Sequence, residues 1–381
     1  MRILHTSDWH IGRQFHNLNL LEDQKDCIDQ LIDVLKNEAI DLLLIAGDIY
    51  DRSVPPAEAV VLLHNTLSVV CLELGITIAM ISGNHDGPER LGFGADLLKA
   101  SGLHIFTDIT AIAKPLKISK GEETVNVYGI PYCQPEHVRK AFDVDVKTFD
   151  EAHTFLVEQV TKQMNPDEVN ILMSHCFVGG SQVSESERPL SIGGADTVSW
   201  QPMRSFDYVA LGHLHAPQFR GEEHIRYSGS LMKYSFSEVN QKKGVTVVEL
   251  QRKTKPTIDF FSIKQKHDLR VIEGQFETIL SDGFKDENKE DYLLIRLVDK
   301  ESIIDAIGKL RSIYPNILHL EKTGVVQAAN TKQVTKEHLK RSELELFADF
   351  YQKTLDEKLS EPQRQILETL INDLHAQDDA S

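Results

Sequence analysis

Short apolar runs alternate with helical patterns through residues 1–263 of the chain. The runs are ILHTS, DLLLIAG, TIAMISG, VNVYGIP, VNILMS and DYVALG. Each is short and bounded by glycine or polar residues, which is typical of buried strands. Between the first two runs, Cys27, Ile28, Leu31 and Leu35 recur at helical spacing. This alternation predicts a layered α/β domain.

Polar side chains of a few types follow five of these runs. They are Asp8, His10, Asp48, Asn84, His85, Asp86, His175, His213 and His215. His213 and His215 stand two residues apart after an apolar run, so an extended chain would place both on one face. Ligands of open α/β sheets gather at the carboxyl ends of the strands. We therefore expect these side chains to converge on one site.

The donor atoms of this set are carboxylate and amide oxygens and imidazole nitrogens, without a thiolate. Such donors suit Mn²⁺, Fe²⁺ or Zn²⁺ better than Ca²⁺ or a structural zinc. The candidate metal ligands are Asp8, His10, Asp48, Asn84, His175, His213 and His215. They are too many for one open catalytic ion and fit two divalent ions. Asp48, which follows a glycine, is placed to bridge them.

Composition excludes several classes of protein. The four cysteines, Cys27, Cys71, Cys133 and Cys176, are far apart and form no CxxC pair, which argues against a disulfide framework or a thiolate zinc site. The start MRILHTSDWH lacks the features of a signal peptide, and no apolar run approaches a membrane span, so a cytoplasmic protein is expected. A net charge of −17 argues against holding nucleic acid by overall positive charge.

The pattern restarts near Leu269 as a smaller unit. LRVIEG, DYLLIRLVD and NILHLEKT have the character of strands, with an amphipathic helix before the last of them. Capping-box patterns open two helices of the tail, at Ser342 with Glu345 and at Ser360 with Gln363. The apolar stripes of these helices either dock on the chain itself or bind a partner. The predicted division is a main domain at 1–263, a small α/β domain at 264–325, a linker at 326–341 and a helical segment at 342–376.

The motifs DWH, GDIYD, GNHD, SHC and GHLH, in this order, resemble those of the calcineurin-like metallophosphoesterases. The longer stretches RILHTSDWHIG, SERPLSIGG, YVALGHLH and YSGSLMKYSFSE are similar to the SbcD family of bacterial nuclease subunits. This resemblance covers most of residues 1–265. It implies an α/β fold with a four-layer metallophosphoesterase β-sandwich flanked by helices, a small α/β capping domain that faces DNA, and C-terminal helices.

The resemblance also implies roles for the site residues. Asp8, His10, Asp48 and His215 would hold one ion, and Asp48, Asn84, His175 and His213 the other; manganese is the usual metal of the family. His85 would contact the phosphate and help the leaving oxygen depart. Some relatives have a histidine where this chain has Asp51. Asp51 either orients His85 through a carboxylate–imidazole hydrogen bond or caps the following helix or turn.

The implied activity is that of a metal-dependent DNA nuclease subunit. The SbcD family cleaves double-strand ends as an exonuclease and single strands and hairpins as an endonuclease, in DNA repair, replication and recombination. It does so as a homodimer within a heterotetramer with the coiled-coil ATPase SbcC, which the tail helices would bind. Two alternatives stay open: a metallophosphoesterase acting on a small phosphodiester or a phosphoprotein, and a non-catalytic adaptor with a structural metal site.

Residues near the motifs have less specific interpretations. Arg13, His16 and Arg90 could reach phosphates or be solvated surface charges. The stretch Gly179 to Gly194 is a candidate substrate-facing loop. His5, inside the first strand, is expected to be a hydrogen-bonded core histidine.

Overall fold

The structure is a computed structural model that describes residues 1–187, 196–301, 303–323, 344, 347–348, 351–352 and 360–378. Contacts within the chain divide it into two units, Met1–Leu297 with Ile303–Glu321, and Val298–Ser302 with Lys322–Ser381. The predicted linker and the capping pattern at Ser342 lie outside the described residues. The predicted domain boundary at residue 263 stays a prediction.

The helices and strands follow the apolar patterns of the sequence. The strands are β1 (Arg2–Thr6), β2 (Gln14–Phe15), β3 (Leu18–Asn19), β4 (Leu42–Ala46), β5 (Thr77–Ile81), β6 (Leu103–Phe106), β7 (Leu116–Lys120), β8 (Glu123–Ile130), β9 (Val169–His175), β10 (Phe177–Val178), β11 (Thr197–Val198), β12 (Tyr208–Gly212), β13 (Gln218–Arg220), β14 (Glu222–Tyr227), β15 (Gly244–Glu249), β16 (Thr257–Ser262), β17 (Leu269–Gly274), β18 (Tyr292–Leu297) and β19 (Ile317–Lys322). The helices are α1 (Leu21–Asn37), α2 (Ala57–Ser68), α3 (Pro88–Leu91), α4 (Ala95–Leu98), α5 (Pro135–Phe142), α6 (Phe149–Thr161), α7 (Phe276–Gly283), α8 (Ala306–Arg311) and α9 (Glu361–Asp378).

Two six-stranded sheets form the centre of the described chain. Their strand orders are β16-β15-β1-β4-β5-β6 and β13-β14-β12-β9-β8-β7. Four neighbouring strands of each sheet are parallel, β1-β4-β5-β6 in the first and β8-β9-β12-β14 in the second. Parallel neighbours bring the carboxyl ends of their strands to one edge, which is where the sequence places the polar residues.

The two sheets pack face to face. Because side chains alternate along a strand, Leu42 and Leu44 of β4 point into a core shared with Ile171 and Met173 of β9. Leu43 points the other way, into a core with α1 and α2. The outer face of the second sheet packs against α5 and α6. The layers are therefore helix, sheet, sheet and helix, which confirms the predicted four-layer fold.

The smaller α/β unit predicted after Leu269 is a sheet of order β17-β18-β19, with its own core against α7 and α8. It joins α1 through buried Asp23, whose carboxylate accepts hydrogen bonds from Tyr292 at 2.7 Å and His267 at 2.7 Å. The second predicted tail helix is present as α9, and the Gln363 side chain accepts from the Ser360 backbone N–H at 2.8 Å. Among the described residues, every helix is too short or too polar to span a membrane.

Candidate metal centre

The candidate site lies at the carboxyl ends of β1, β4 and β5 in one sheet and of β9 and β12 in the other. The sheets touch at this edge: the His175 Nδ1–H donates to the Ala46 carbonyl at 2.9 Å. A Cβ added at Gly212 would stand 1.8 Å from the same carbonyl oxygen, so only glycine permits this approach. The strand ends of both sheets therefore surround one buried space.

Two groups of predicted ligands face each other across this space. Asp8, His10 and His215 form one group and Asp48, His175 and His213 the other, with donor atoms within 4.8 Å of one another in each group. The Asp48 Oδ2 atom lies 3.7 Å from His10 Nε2 and 3.4 Å from His175 Nε2, so it faces histidines of both groups. This is the place predicted for a carboxylate shared by two ions.

Asn84 joins the second group through its side-chain oxygen. The Asn84 Oδ1 atom lies 3.0 Å from His175 Nε2 and 3.1 Å from His213 Nδ1. The residues predicted as ligands are thus all gathered at the site. Asp8 is held in place by the His213 backbone N–H, which donates to its carboxylate at 3.0 Å.

The atoms that face one another fit a cation. The Nε2 atoms of His10 and His215 are 3.1 Å apart. Burial lowers the pKa of His10 well below its usual range and also lowers the pKa of His215, which favours the neutral form of both rings. A pair of facing imidazole nitrogens is the donor arrangement that a divalent transition metal binds.

The charged groups of the site also fit a bound cation. Burial, reinforced by the Asp48 charge, raises the pKa of Asp8 well above its usual range. Burial favours the neutral form of His175. The negative charge of the nearby Asp48 carboxylate has the larger effect and raises the pKa of His175 to about 9. A bound cation would reverse both shifts, because it favours ionised carboxylates and neutral imidazoles. The residues present therefore fit divalent ions.

His85 is fixed beside this space by two hydrogen bonds. Its backbone N–H donates to Asp48 Oδ1 at 2.8 Å, and its Nδ1–H donates to the backbone carbonyl of Asp51 at 2.8 Å. The hypothesis of a carboxylate–imidazole hydrogen bond is thus corrected, since the main chain of Asp51 makes the contact. A role as the cap of the following helix is also wrong, because α2 begins after Pro56. A role as the cap of a turn stays a prediction.

The Asp51 carboxylate instead meets Arg13. The Arg13 guanidinium lies 3.3 Å from Asp51 Oδ1 and donates to the Ser186 carbonyl at 3.0 Å. It also stands over the Tyr234 ring, 5.0 Å from its centroid. Arg13 is therefore a fixed cation at the edge of the site and not a freely solvated charge.

Two other histidines lie outside the ligand groups. His5 is buried, with Nδ1 2.9 Å from the Tyr208 hydroxyl and Nε2 3.1 Å from the Leu211 carbonyl, as predicted for a core histidine. The His16 ring stacks on His319 of the small sheet, with centroids 5.7 Å apart. The candidate loop at Gly179 to Gly194 is described only as far as residue 187.

Sequence reasoning placed Asp86 among the polar residues that follow the strands but assigned it no role. Its buried carboxylate accepts hydrogen bonds from the backbone N–H groups of Ile49, Tyr50 and Gly83 at 3.1, 2.9 and 2.8 Å. It therefore ties the loop after β4 to the loop after β5. Burial, with the nearby Asp48 charge, raises the pKa of Asp86 to about 6. Its position beside Asn84-His85 was the available signal.

A second missed group lies behind His215. The Ser186 hydroxyl is 2.7 Å from His215 Nδ1 and donates to Glu238, and the Lys243 ammonium lies 2.6 Å from the other oxygen of Glu238. Burial opposes ionisation of Glu238, but Lys243 and His215 hold the pKa of its carboxyl well below its usual range. The stretches SERPLSIGG and YSGSLMKYSFSE contain Ser186 and Glu238 but gave no indication of this contact.

Comparison with known proteins gives the family. Residues 1–217 match the calcineurin-like phosphoesterases, and residues 265–354 match a family described as the type 5 capsule protein repressor C-terminal domain. The SbcD subunit of the nuclease SbcCD of Staphylococcus epidermidis is 38% identical over 373 residues, which are 98% of this chain and 98% of that protein.

Two solved structures align at low identity. The protein TT1561 of Thermus thermophilus is 12% identical with a TM-score of 0.40, covering 69% of this chain and 99% of that one. A dimetal phosphatase from Danio rerio is 11% identical with a TM-score of 0.41, covering 70% of this chain and 97% of that one. From the family matches, the chain belongs to the calcineurin-like phosphoesterases and, within them, to the SbcD family of nuclease subunits, and it is a metal-dependent hydrolase.

Proposed function

We propose that this chain hydrolyses DNA phosphodiester bonds at a binuclear metal centre. One observation carries the proposal: the Asp48 carboxylate faces His10 on one side and His175 on the other. A single oxygen between two imidazole groups is suited to a pair of ions that share a ligand. The proposed ligands are Asp8, His10, Asp48 and His215 for one ion and Asp48, Asn84, His175 and His213 for the other.

Manganese is the proposed metal. The ligand set combines carboxylate and amide oxygens with imidazole nitrogens, a mixture that suits Mn²⁺. When bound, two such ions supply the positive charge that activates a nucleophile and stabilises the leaving oxygen. In a chain of net charge −17, they would also offset repulsion between the protein and the DNA backbone.

His85 is the proposed contact to the reacting phosphate. Because its Nδ1–H is taken up by the Asp51 carbonyl, Nε2 is the nitrogen left for the substrate. In the protonated ring this Nε2–H can donate to a phosphate oxygen and pass its proton to the leaving oxygen. The His10 ring stands edge-on to His85, with centroids 4.6 Å apart, so His85 borders the metal site directly.

The substrates proposed are double-strand ends, hairpins and single strands, in DNA repair, replication and recombination. The name of the 38% identical relative, a nuclease, supports DNA as the substrate class. The extra sheet β17-β18-β19 supports a large substrate, since hydrolysis of a small phosphodiester has little use for a further sheet.

Cleavage assays with two substrates test this function. The purified chain should cleave hairpin DNA in Mn²⁺, and chelation of the metal should abolish the cleavage. A chromogenic small phosphodiester, measured in parallel, distinguishes the alternative. Hydrolysis of the small ester with intact hairpin DNA would contradict the nuclease proposal, and no hydrolysis of either would favour an adaptor.

We further propose that the chain forms a homodimer and binds an SbcC-like coiled-coil ATPase through its tail, in a heterotetramer. The relative is named as one subunit of a complex, which supports the partner. Helix α9 has Ile366 and Leu370 one turn apart and exposed. On α4 and the turn before it, Phe93 is 85% and Leu97 84% exposed, which is unusual for residues that face water permanently.

Light scattering of the full chain, alone and with the ATPase, tests this assembly. The chain alone should have twice its monomer mass, and a double variant, Phe93→Glu with Leu97→Glu, should be monomeric but folded. Truncation before Ser342 should abolish binding of the ATPase and leave the dimer intact. Retained binding would refute the role of the tail, and a wild-type monomer would refute the dimer.

A further inference from the structure

A buried polar chain runs from His215 away from the metal site. The Ser186 Oγ atom lies 2.7 Å from His215 Nδ1, and its hydroxyl hydrogen is donated to Glu238 Oε1. The Lys243 ammonium lies 2.6 Å from Glu238 Oε2. Glu238 is fully buried and Lys243 nearly so. An ion pair is thus sequestered directly behind a proposed metal ligand.

The direction of these hydrogen bonds fixes the tautomer of His215. A serine hydroxyl has one hydrogen, and here Glu238 accepts it, so the Ser186 oxygen accepts from His215 Nδ1–H. The Nε2 atom of His215 then carries a lone pair, and it is this atom that faces His10 Nε2 at 3.1 Å. The carboxylate behind the ring therefore makes His215 a stronger donor toward the site.

The backbone of His215 is held by the same group. Its N–H donates to Glu187 Oε1 at 2.7 Å, and its carbonyl accepts from Lys243 at 2.8 Å. Lys243 also donates to Ser230 and Gln241, at 2.9 and 2.8 Å. A buried ion pair contributes little net stability compared with apolar residues of similar size. Its position suggests a role in orienting His215.

In the other ligand group, His175 donates to a different kind of acceptor. The Nδ1–H of His175 donates to the Ala46 carbonyl, which is a neutral main-chain acceptor. The carboxylate of Glu238 thus stands behind a histidine of one group, while His175 of the other group has a peptide carbonyl behind it. The two proposed ions should therefore respond differently to loss of the Glu238 charge.

We propose that Glu238, neutralised by Lys243 and acting mainly through Ser186, is a positioning residue that selectively strengthens the binding of the ion held by Asp8, His10, Asp48 and His215. The inference rests on the proposed binuclear centre. It predicts an asymmetric centre, in which one ion depends on the Glu238 carboxylate and the other does not.

Titration of the metal-free full chain with Mn²⁺ tests this asymmetry, by calorimetry for the number of ions and by electron paramagnetic resonance for their coupling. The wild type should bind two ions with the spectrum of a coupled pair. Glu238→Gln should weaken one ion by about 10- to 100-fold, the range found for such outer ligands, and leave the other unchanged. At intermediate Mn²⁺ its spectrum should be that of a single ion.

Two further variants separate positioning from folding. Glu238→Gln alone leaves the Lys243 cation buried and unpaired, and adding Lys243→Met removes it. Ser186→Ala removes the shorter link to His215, and it keeps the ion pair and the 3.4 Å contact between Glu238 Oε1 and His215 Nδ1. Both should weaken the same ion. Glu168→Gln is a matched control, because Glu168 accepts from Asn126 next to the start of β9, at the opposite end of that strand from His175. It should bind both ions as the wild type does.

The outcomes are distinct. Equal weakening of both ions, together with a lower melting temperature of the metal-free variants, would assign Glu238 a structural role and overturn the inference. Unchanged binding in all three variants would also overturn it. A wild type that binds fewer than two ions would overturn the proposed binuclear centre itself, and the inference with it.

Discussion

Replacing Asp48 by asparagine should lower the rate of DNA hydrolysis by about 10³-fold, which corresponds to the loss of several kcal/mol of charge stabilisation by the metals. Asp48 should have this effect because its Oδ2 atom faces His10 at 3.7 Å and His175 at 3.4 Å, so the charge is lost from both ion sites. Single-turnover cleavage of hairpin DNA in Mn²⁺ measures the rate. Calorimetric titration of the metal-free variant should find both ions weakened.

Asparagine is the informative substitution at this position. Its side-chain oxygen can still accept the His85 backbone N–H, as Asp48 Oδ1 does at 2.8 Å, so the loop after β5 should keep its place. Asp207→Asn is the matched control, because Asp207 accepts from the Asn170 backbone N–H beside the start of β12, away from the site. If Asp48→Asn bound one ion with native affinity, Asp48 would not be shared.

The convergence of the site could be predicted because it follows from two regularities. Buried parallel strands have recognisable apolar runs, and their carboxyl ends meet at one edge. The run DLLLIAG contains β4 and the run TIAMISG contains β5, and these two strands are parallel neighbours. Asp48 and Asn84, which follow the two runs, therefore lie close together. The four-layer order followed from the same runs together with the family resemblance.

The contact between the two sheets at the site could not be predicted in the same way. No sequence pattern states that Gly212 lies against the Ala46 carbonyl, because the two residues belong to separate sheets and are far apart in the chain. This approach brings His175 and His213 to face Asp48. The distance between packed sheets depends on side chains along their whole shared face.

The partner atoms of individual side chains were also beyond sequence reasoning. Asp51 was expected to act through its carboxylate, yet its backbone carbonyl meets His85 and its carboxylate meets Arg13. The identity of a residue shows which chemical groups it carries, but not which of these groups points toward the site. The same holds for Glu238 and Lys243, to which the sequence assigned no role and which are buried as a pair.

Replacing His85 by glutamine should lower the turnover rate for hairpin DNA by about 10²- to 10⁴-fold, the usual contribution of a proton-transferring side chain. Unlike loss of Asp48, this change should leave the binding of both ions intact, because His85 is proposed to contact the phosphate and not the metals. Rapid-quench measurement of a single turnover, beside Mn²⁺ titration of the same variant, separates the two effects.

Two other variants make the His85 result specific. His104→Gln removes a partly buried imidazole from β6, where His104 pairs with Ala79, and should leave the rate unchanged. Asp51→Asn keeps the backbone carbonyl that accepts from His85, so it should lower the rate by less than about tenfold, as expected for a partly exposed ion pair. Equal losses in Asp51→Asn and His85→Gln would instead mean that the Asp51 carboxylate acts together with His85. Weakened Mn²⁺ binding in His85→Gln would move His85 from the phosphate to the metal site.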